Sequence, residues 1–157
     1  MAKQTSATTR ALEAKHTKAT TRALKRIGRL DLKQIVARTA RDNRWTERRA
    51  DNAELWYKNF LKLCYLNRRQ PVAALGRDAD ILWHQHILDT IRYQRDCKAL
   101  FGHYLNHDPI DGRPSAADRK AFDRSRKLYL KEFGELPAVI ARVCLRKPIP
   151  IPPVPPH

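Results

Sequence analysis

The chain has 157 residues, 42% of them hydrophobic, and carries 32 Lys and Arg against 16 Asp and Glu, for a formal net charge of +16. That length is one ordinary domain with room for a buried core, and no apolar run reaches the ~20 residues of a membrane helix. Cys64, Cys97 and Cys144 are too few and too far apart for a disulfide framework or a paired-cysteine zinc site, so a reducing compartment is expected, the cytoplasm or alternatively an organelle interior.

Residues 1–25 read as a basic flexible arm, disordered or conditionally helical. The hexad A-T-T-R-A-L occurs at residues 7–12 and again at 19–24. That offset turns equivalent positions by ~120° on a helix, so no single straight apolar stripe forms. From Leu24 through Ile27, Leu30, Leu32, Ile35 and Val36 the apolar spacing becomes helical, with Gly28 as the only interruption. Thr46 is placed to cap a long helix running to about Asn67, with Trp45 before the cap and Leu55, Trp56, Phe60, Leu63 and Cys64 on one face. The run from Arg68 to Pro71 breaks the pattern, and a further helix begins between Arg77 and Asp80. Gly102 and residues 106–115 form a turn-rich loop. Ser115 and Asp118 open the last long helix, which carries Phe122, Leu128, Tyr129 and Phe133 and stops at Gly134. A short extra helix is expected over 138–146. The Pro-rich tail, residues 147–157, reads as polyproline II that docks on a partner or on its own domain. The fold expected is therefore all-α, a single helical domain of four or five helices over residues 26–146, between the arm and the tail.

Four of the six histidines fall between residues 78 and 109. Residues 80–97 read D-I-L-W-H-Q-H-I-L-D-T-I-R-Y-Q-R-D-C, which resembles the core pattern of the glycine-rich domain-containing protein-like family, D-x-x-W-H-x-H-I-L-D-T-x-x-Y-x-x-D-C. Residues 54–63 and 128–134 are similar to that family's flanking helices. The resemblance implies a helical fold and a set of candidate residues; it names no reaction and no substrate.

On a regular helix His84 and His86 point ~160° apart, so they have different roles. Asp80 and His84 are four residues apart and share a face, a spacing that suits two ligands of one metal or a carboxylate orienting an imidazole. Joined by His107 from the loop, and by His86 or a further acid, they form a candidate zinc or iron site with a position left for water or substrate. The alternative is a set of satisfied core histidines. Thr90, Tyr93, Asp96 and Cys97 are expected in a buried polar network, with Trp83, Ile87, Leu88 and Ile91 buried beside it. His86 and Cys97 lie ~16 Å apart along a continuous helix, which excludes a shared ion unless the helix breaks.

Charge supplies the other functional reading. Residues 78–108 carry three bases and five acids, an acidic island in a basic chain. Arg10, Lys15, Lys18, Arg22, Lys25 and Arg26 form one candidate phosphate-contacting group, Arg38, Arg41, Arg44, Arg48 and Arg49 a second, and Arg119, Lys120, Arg124 and Lys127 a third. No zinc-finger, homeodomain or RNA-recognition signature accompanies them. The leading expectation is a non-catalytic basic helical module that engages nucleic acid, RNA first, or another polyanion such as an acidic protein partner, within a larger assembly. The alternative is a metal-binding protein or metal-dependent enzyme built on Asp80, His84 and His107.

Overall fold

The computed structural model describes residues 16–108, 110 and 113–136, and the expectations for residues 1–15, for the extra helix at 138–146 and for the tail at 147–157 lie outside them. Among the described residues the chain forms six helices and no strand: α1 (Lys18–Gly28), α2 (Lys33–Asp42), α3 (Glu47–Leu66), α4 (Arg77–Leu88), α5 (Thr90–Phe101) and α6 (Ala116–Phe133). None of them is long and apolar enough to cross a membrane.

Two helices more than the apolar pattern alone delivers come from two breaks. The stretch from Leu24 to Val36 is a pair, α1 and α2, separated at Arg29–Leu32. Ile27, Leu32, Ile35 and Val36 still pack in one core, and Leu24 is buried as well. Because α1 begins at Lys18, capped by Thr17 accepting from the Thr20 N–H at 3.2 Å, residues 18–25 belong to the packed domain, which corrects their assignment to the arm. Thr21 and Leu24 are buried there, one turn apart, with Ile27 continuing the same stripe.

The second break falls at Asp89, whose backbone (φ −82°, ψ 68°) leaves the helical region and separates α4 from α5. A continuous helix would bury Leu88 and Ile91; instead they are 70% and 82% exposed, and Thr90 is exposed too. The turn re-aims everything after Leu88, so that Tyr93, Asp96 and Cys97 swing inward in place of the expected apolar stripe.

Helix α3 is the central element. Thr46 caps it by accepting from the Arg49 N–H at 3.3 Å, and Trp45 ahead of the cap is buried. Its inner face is Ala50, Ala53, Tyr57, Phe60 and Leu61, spaced three and four apart, and these pack with Leu82, Trp83, Tyr93 and Phe101 of α4 and α5 in one core. Leu55, expected on that face, is half exposed, because the buried stripe runs through Tyr57 rather than through Leu55. Leu63, Leu75 and Tyr129 make a second core where α6 docks on the far end of α3. Helix α6 opens on a capping box in which Ser115 accepts from the Asp118 N–H and Asp118 accepts from the Ser115 N–H, and it ends at Gly134 in the left-handed region (φ 84°). Asn59 donates to the Tyr129 hydroxyl at 2.9 Å across this interface, and His16 meets Glu132 at 3.0 Å.

Candidate metal centre and its cleft

The first turn of α4 and the loop after α5 converge on one point. Asp80 and His84 stand one turn apart on α4, and His107 arrives from the loop, with its Nε2 3.3 Å from Asp80 Oδ1. His84 Nδ1 lies 3.5 Å from Asp80 Oδ2, and the His84 and His107 ring centres are 4.3 Å apart. One donor atom from each of the three residues lies within 4.8 Å of the others. Ligands at 2.0–2.1 Å around a tetrahedral ion are about 3.4 Å apart, so side-chain rotation is needed to draw these atoms from within 4.8 Å to binding distance.

The hydrogen bonds around the histidines decide which nitrogen is available. His84 Nδ1 is 2.7 Å from the Asp80 backbone carbonyl, which can only accept. Nδ1 therefore carries the proton and the lone pair sits on Nε2, the usual way a ligating imidazole is held. His107 is 14% exposed and lies against the Trp83 ring at 4.3 Å, whereas Asp80 and His84 are 45% and 47% exposed. The trio is thus backed by protein on the His107 side and open on the other.

A relay fixes the loop that delivers His107. Trp83 Nε1 donates to the Tyr93 hydroxyl at 2.9 Å, and that hydroxyl donates to the Leu105 carbonyl at 2.6 Å, two residues before His107. One aromatic hydroxyl joins α4, α5 and the loop. Burial pushes the Tyr93 phenol up, so it keeps the proton that the carbonyl receives.

His86 is not part of this group. It is buried on the opposite side of α4, with Nδ1 2.9 Å from the Tyr57 hydroxyl and Nε2 3.2 Å from Asp96 Oδ2. This removes it from the candidate ligands, for the reason its spacing from His84 implies. Burial lowers its pKa, outweighing the nearby Asp96 carboxylate, so the ring is neutral, with Nε2 donating to Asp96 and Nδ1 accepting from Tyr57. Burial also holds the Tyr57 phenol protonated and available as that donor. Asp96 is further held by Arg95 at 3.1 Å. Of the expected network, Tyr93, Asp96 and Cys97 are buried, but Thr90 stands exposed on the first turn of α5. Burial raises the Cys97 and Cys64 thiols, which leaves both protonated and unlike metal-binding or nucleophilic thiolates. Tyr57 and the Trp83–Tyr93–Leu105 relay escaped the sequence reading, since their partners are set by the fold and not by local spacing.

The trio opens on a cleft of about 1130 Å³ between α3, α4, the loop after α5 and the start of α6, with mostly apolar walls. Val72, Leu105 and Phe122 contribute to those walls, and Arg68, Arg69 and Arg77 line it as well.

The candidate polyanion residues are spread over several elements. Arg10 and Lys15 lie outside the described residues. Lys18, Arg22, Lys25 and Arg26 are exposed along α1, with Arg26 donating to the Ala99 carbonyl at 2.8 Å. Arg49 forms a two-pronged pair with Asp78, both contacts at 2.8 Å, Arg41 lies 3.3 Å from Asp42, and half-buried Arg38 donates to the Gln85 carbonyl at 3.4 Å. Arg119 and Arg124 donate to the carbonyls of Pro114 and Pro71. Arg44, Arg48, Lys120 and Lys127 are exposed.

The UCP032817-like family model matches residues 24–125, a stretch that contains Asp80, His84 and His107. Glycine-rich domain-containing protein 1 of Arabidopsis thaliana is 31% identical over 84 residues, covering 50% of this chain and 10% of that protein. Both agree with the resemblance carried by residues 80–97. The chain therefore spans a small part of that relative's length. No solved structure matches.

Proposed function

We propose, for a chain that belongs to the UCP032817-like family, that it is a metal-binding protein holding one divalent transition-metal ion on Asp80, His84 and His107. The observation that carries this reading is the convergence of one carboxylate and two imidazoles, from α4 and a separate loop, within 4.8 Å at the edge of a cleft. Closed structural zinc sites take four protein ligands, while three ligands leave positions for water or a bound molecule. Two histidines and a carboxylate, with no thiolate, suit zinc or ferrous iron. Elemental analysis of purified protein tests it directly: one equivalent of metal in the parent and none in His84→Ala is the expected result, and a metal-free parent after zinc or iron reconstitution overturns it.

A second reading rests on the exposed bases. Arg22, Arg44, Arg48, Lys120 and Lys127 are exposed without a carboxylate partner among the described residues, on a chain of net charge +16. Such uncompensated charge favours a polyanion, RNA first, through contacts to phosphate that carry no sequence preference. Titration against single-stranded RNA at low salt is the test, and no detectable affinity there removes it.

A further inference from the structure

We propose that the cleft beside the metal centre binds an organic anion, its oxyanion head on the ion and on Arg69 and Arg77, its apolar body against Val72, Leu105 and Phe122. This rests on the metal reading above.

Charge inside the cleft selects an anion. Three arginines, Arg68, Arg69 and Arg77, and three aspartates, Asp80, Asp108 and Asp118, line it, so their formal charges cancel. A divalent ion on Asp80 then leaves an excess of two positive charges at a cleft whose walls are otherwise largely apolar. The arginines are also the ones free to act. Arg68 stacks on the Tyr65 ring at 4.4 Å, whereas Arg69 and Arg77 are exposed with no carboxylate or ring partner among the described residues. Asp118, in contrast, is held in the capping box of α6.

Position adds to charge. Arg77 opens α4 three residues before Asp80, so its guanidinium rises from the same helix end as the first metal ligand. Gly76 precedes it and supplies no side-chain cap, which leaves first-turn N–H groups of α4 beside the same cleft. A guanidinium fork takes carboxylate and phosphate oxygens equally well, so the shared requirement is the oxyanion head. The apolar walls exclude a purely inorganic occupant as the best fit, because it leaves that surface wet and uncovered.

Isothermal titration of the zinc-loaded full chain tests this with four probes: decanoate, decyl phosphate, decanol and inorganic phosphate. Decanoate or decyl phosphate binds at least about tenfold tighter than decanol and than inorganic phosphate, and the stronger of the two identifies the head group. The Arg69→Ala/Arg77→Ala double variant loses about tenfold or more of that affinity with its zinc content unchanged. Zinc-loaded protein that binds decanol as well as either anion, or a double variant that binds as the parent does, overturns the inference while leaving the metal reading intact. A chain that takes up no zinc in the same samples overturns the metal reading, and the ion-held head group with it.

Discussion

The Tyr93 hydroxyl donates to the Leu105 carbonyl at 2.6 Å while accepting from Trp83 Nε1 at 2.9 Å, and this pairing sets where His107 stands. Removing the hydroxyl leaves a buried indole N–H and a backbone carbonyl unpaired without opening a large cavity. Tyr93→Phe should cost about 1–3 kcal/mol in denaturant unfolding. It should also weaken zinc binding by about tenfold or more, the usual effect of losing a group that orients a ligand. A variant with parent zinc affinity would show that the loop holds its place without the relay.

The two histidines of the W-H-x-H motif should respond differently to substitution. His84→Ala should abolish stoichiometric metal, and chelation should lower the melting temperature of the parent but not of this variant, since metal binds the folded state preferentially. His86→Gln should retain metal, because its ring faces Tyr57 and Asp96 on the far side of α4. Equal loss of metal from both would mean the two rings converge.

Stability should depend on pH through His86. Burial lowers its folded pKa below the ordinary 6.5, so between those two values the unfolded chain binds more protons than the folded one. The stabilisation is complete above about pH 6.5 and is lost as pH falls toward the folded value. Thermal melts of chelated protein, which removes any contribution from metal, should show this decline. His86→Gln should flatten it over the same window while lowering stability at neutral pH. An unchanged slope in the variant would assign the acid sensitivity to other groups.

Trp83 joins the candidate metal centre to the core, its ring tilted against Phe60 at 4.5 Å and against His107 at 4.3 Å. Trp83→Ala should cost about 3–5 kcal/mol, a large share of the stability of one domain. Equilibrium unfolding followed by circular dichroism checks it, and a cost under about 1 kcal/mol would place the indole outside the core.

If RNA is bound, its salt dependence should count the bases involved. Replacing Arg44 and Arg48 with serine should reduce the slope of log affinity against log salt by about 1.4 for a single strand, roughly 0.7 for each lost phosphate contact. Filter binding across a salt series reads this directly. An unchanged slope would exclude both residues from the interface.

Much of this architecture is legible along the chain because its signals are local. Thr46 and Ser115 cap the helices they precede, Gly134 ends α6, and the four-residue spacing of Asp80 and His84 places both on one face. The largest miss depends on a single residue, Asp89. Ile87, Leu88 and Ile91 continue the apolar period across Asp89, so the helix reads as unbroken, and the available sign was only that aspartate commonly precedes a helix start. Once the chain turns there, α5 folds back and brings Asp96 to His86, a contact the continuous helix forbids. Tyr57, 29 residues from His86, and Leu105, contacted through Tyr93, have no sequence signature for their roles because tertiary packing selects them.

The contact between Asp80 and His107 spans 27 residues, whereas the His16–Glu132 contact spans 116. Closing the shorter segment costs about 1.3 kcal/mol less chain entropy. The two belong to different levels of the folding hierarchy. Fraying that frees His16 from α6 leaves α4, α5 and their loop in register, so amide exchange near His16 should be fast while the amides around His84 stay protected. The candidate metal centre thus draws its three residues from one short stretch of chain, which partial opening at His16 leaves in place.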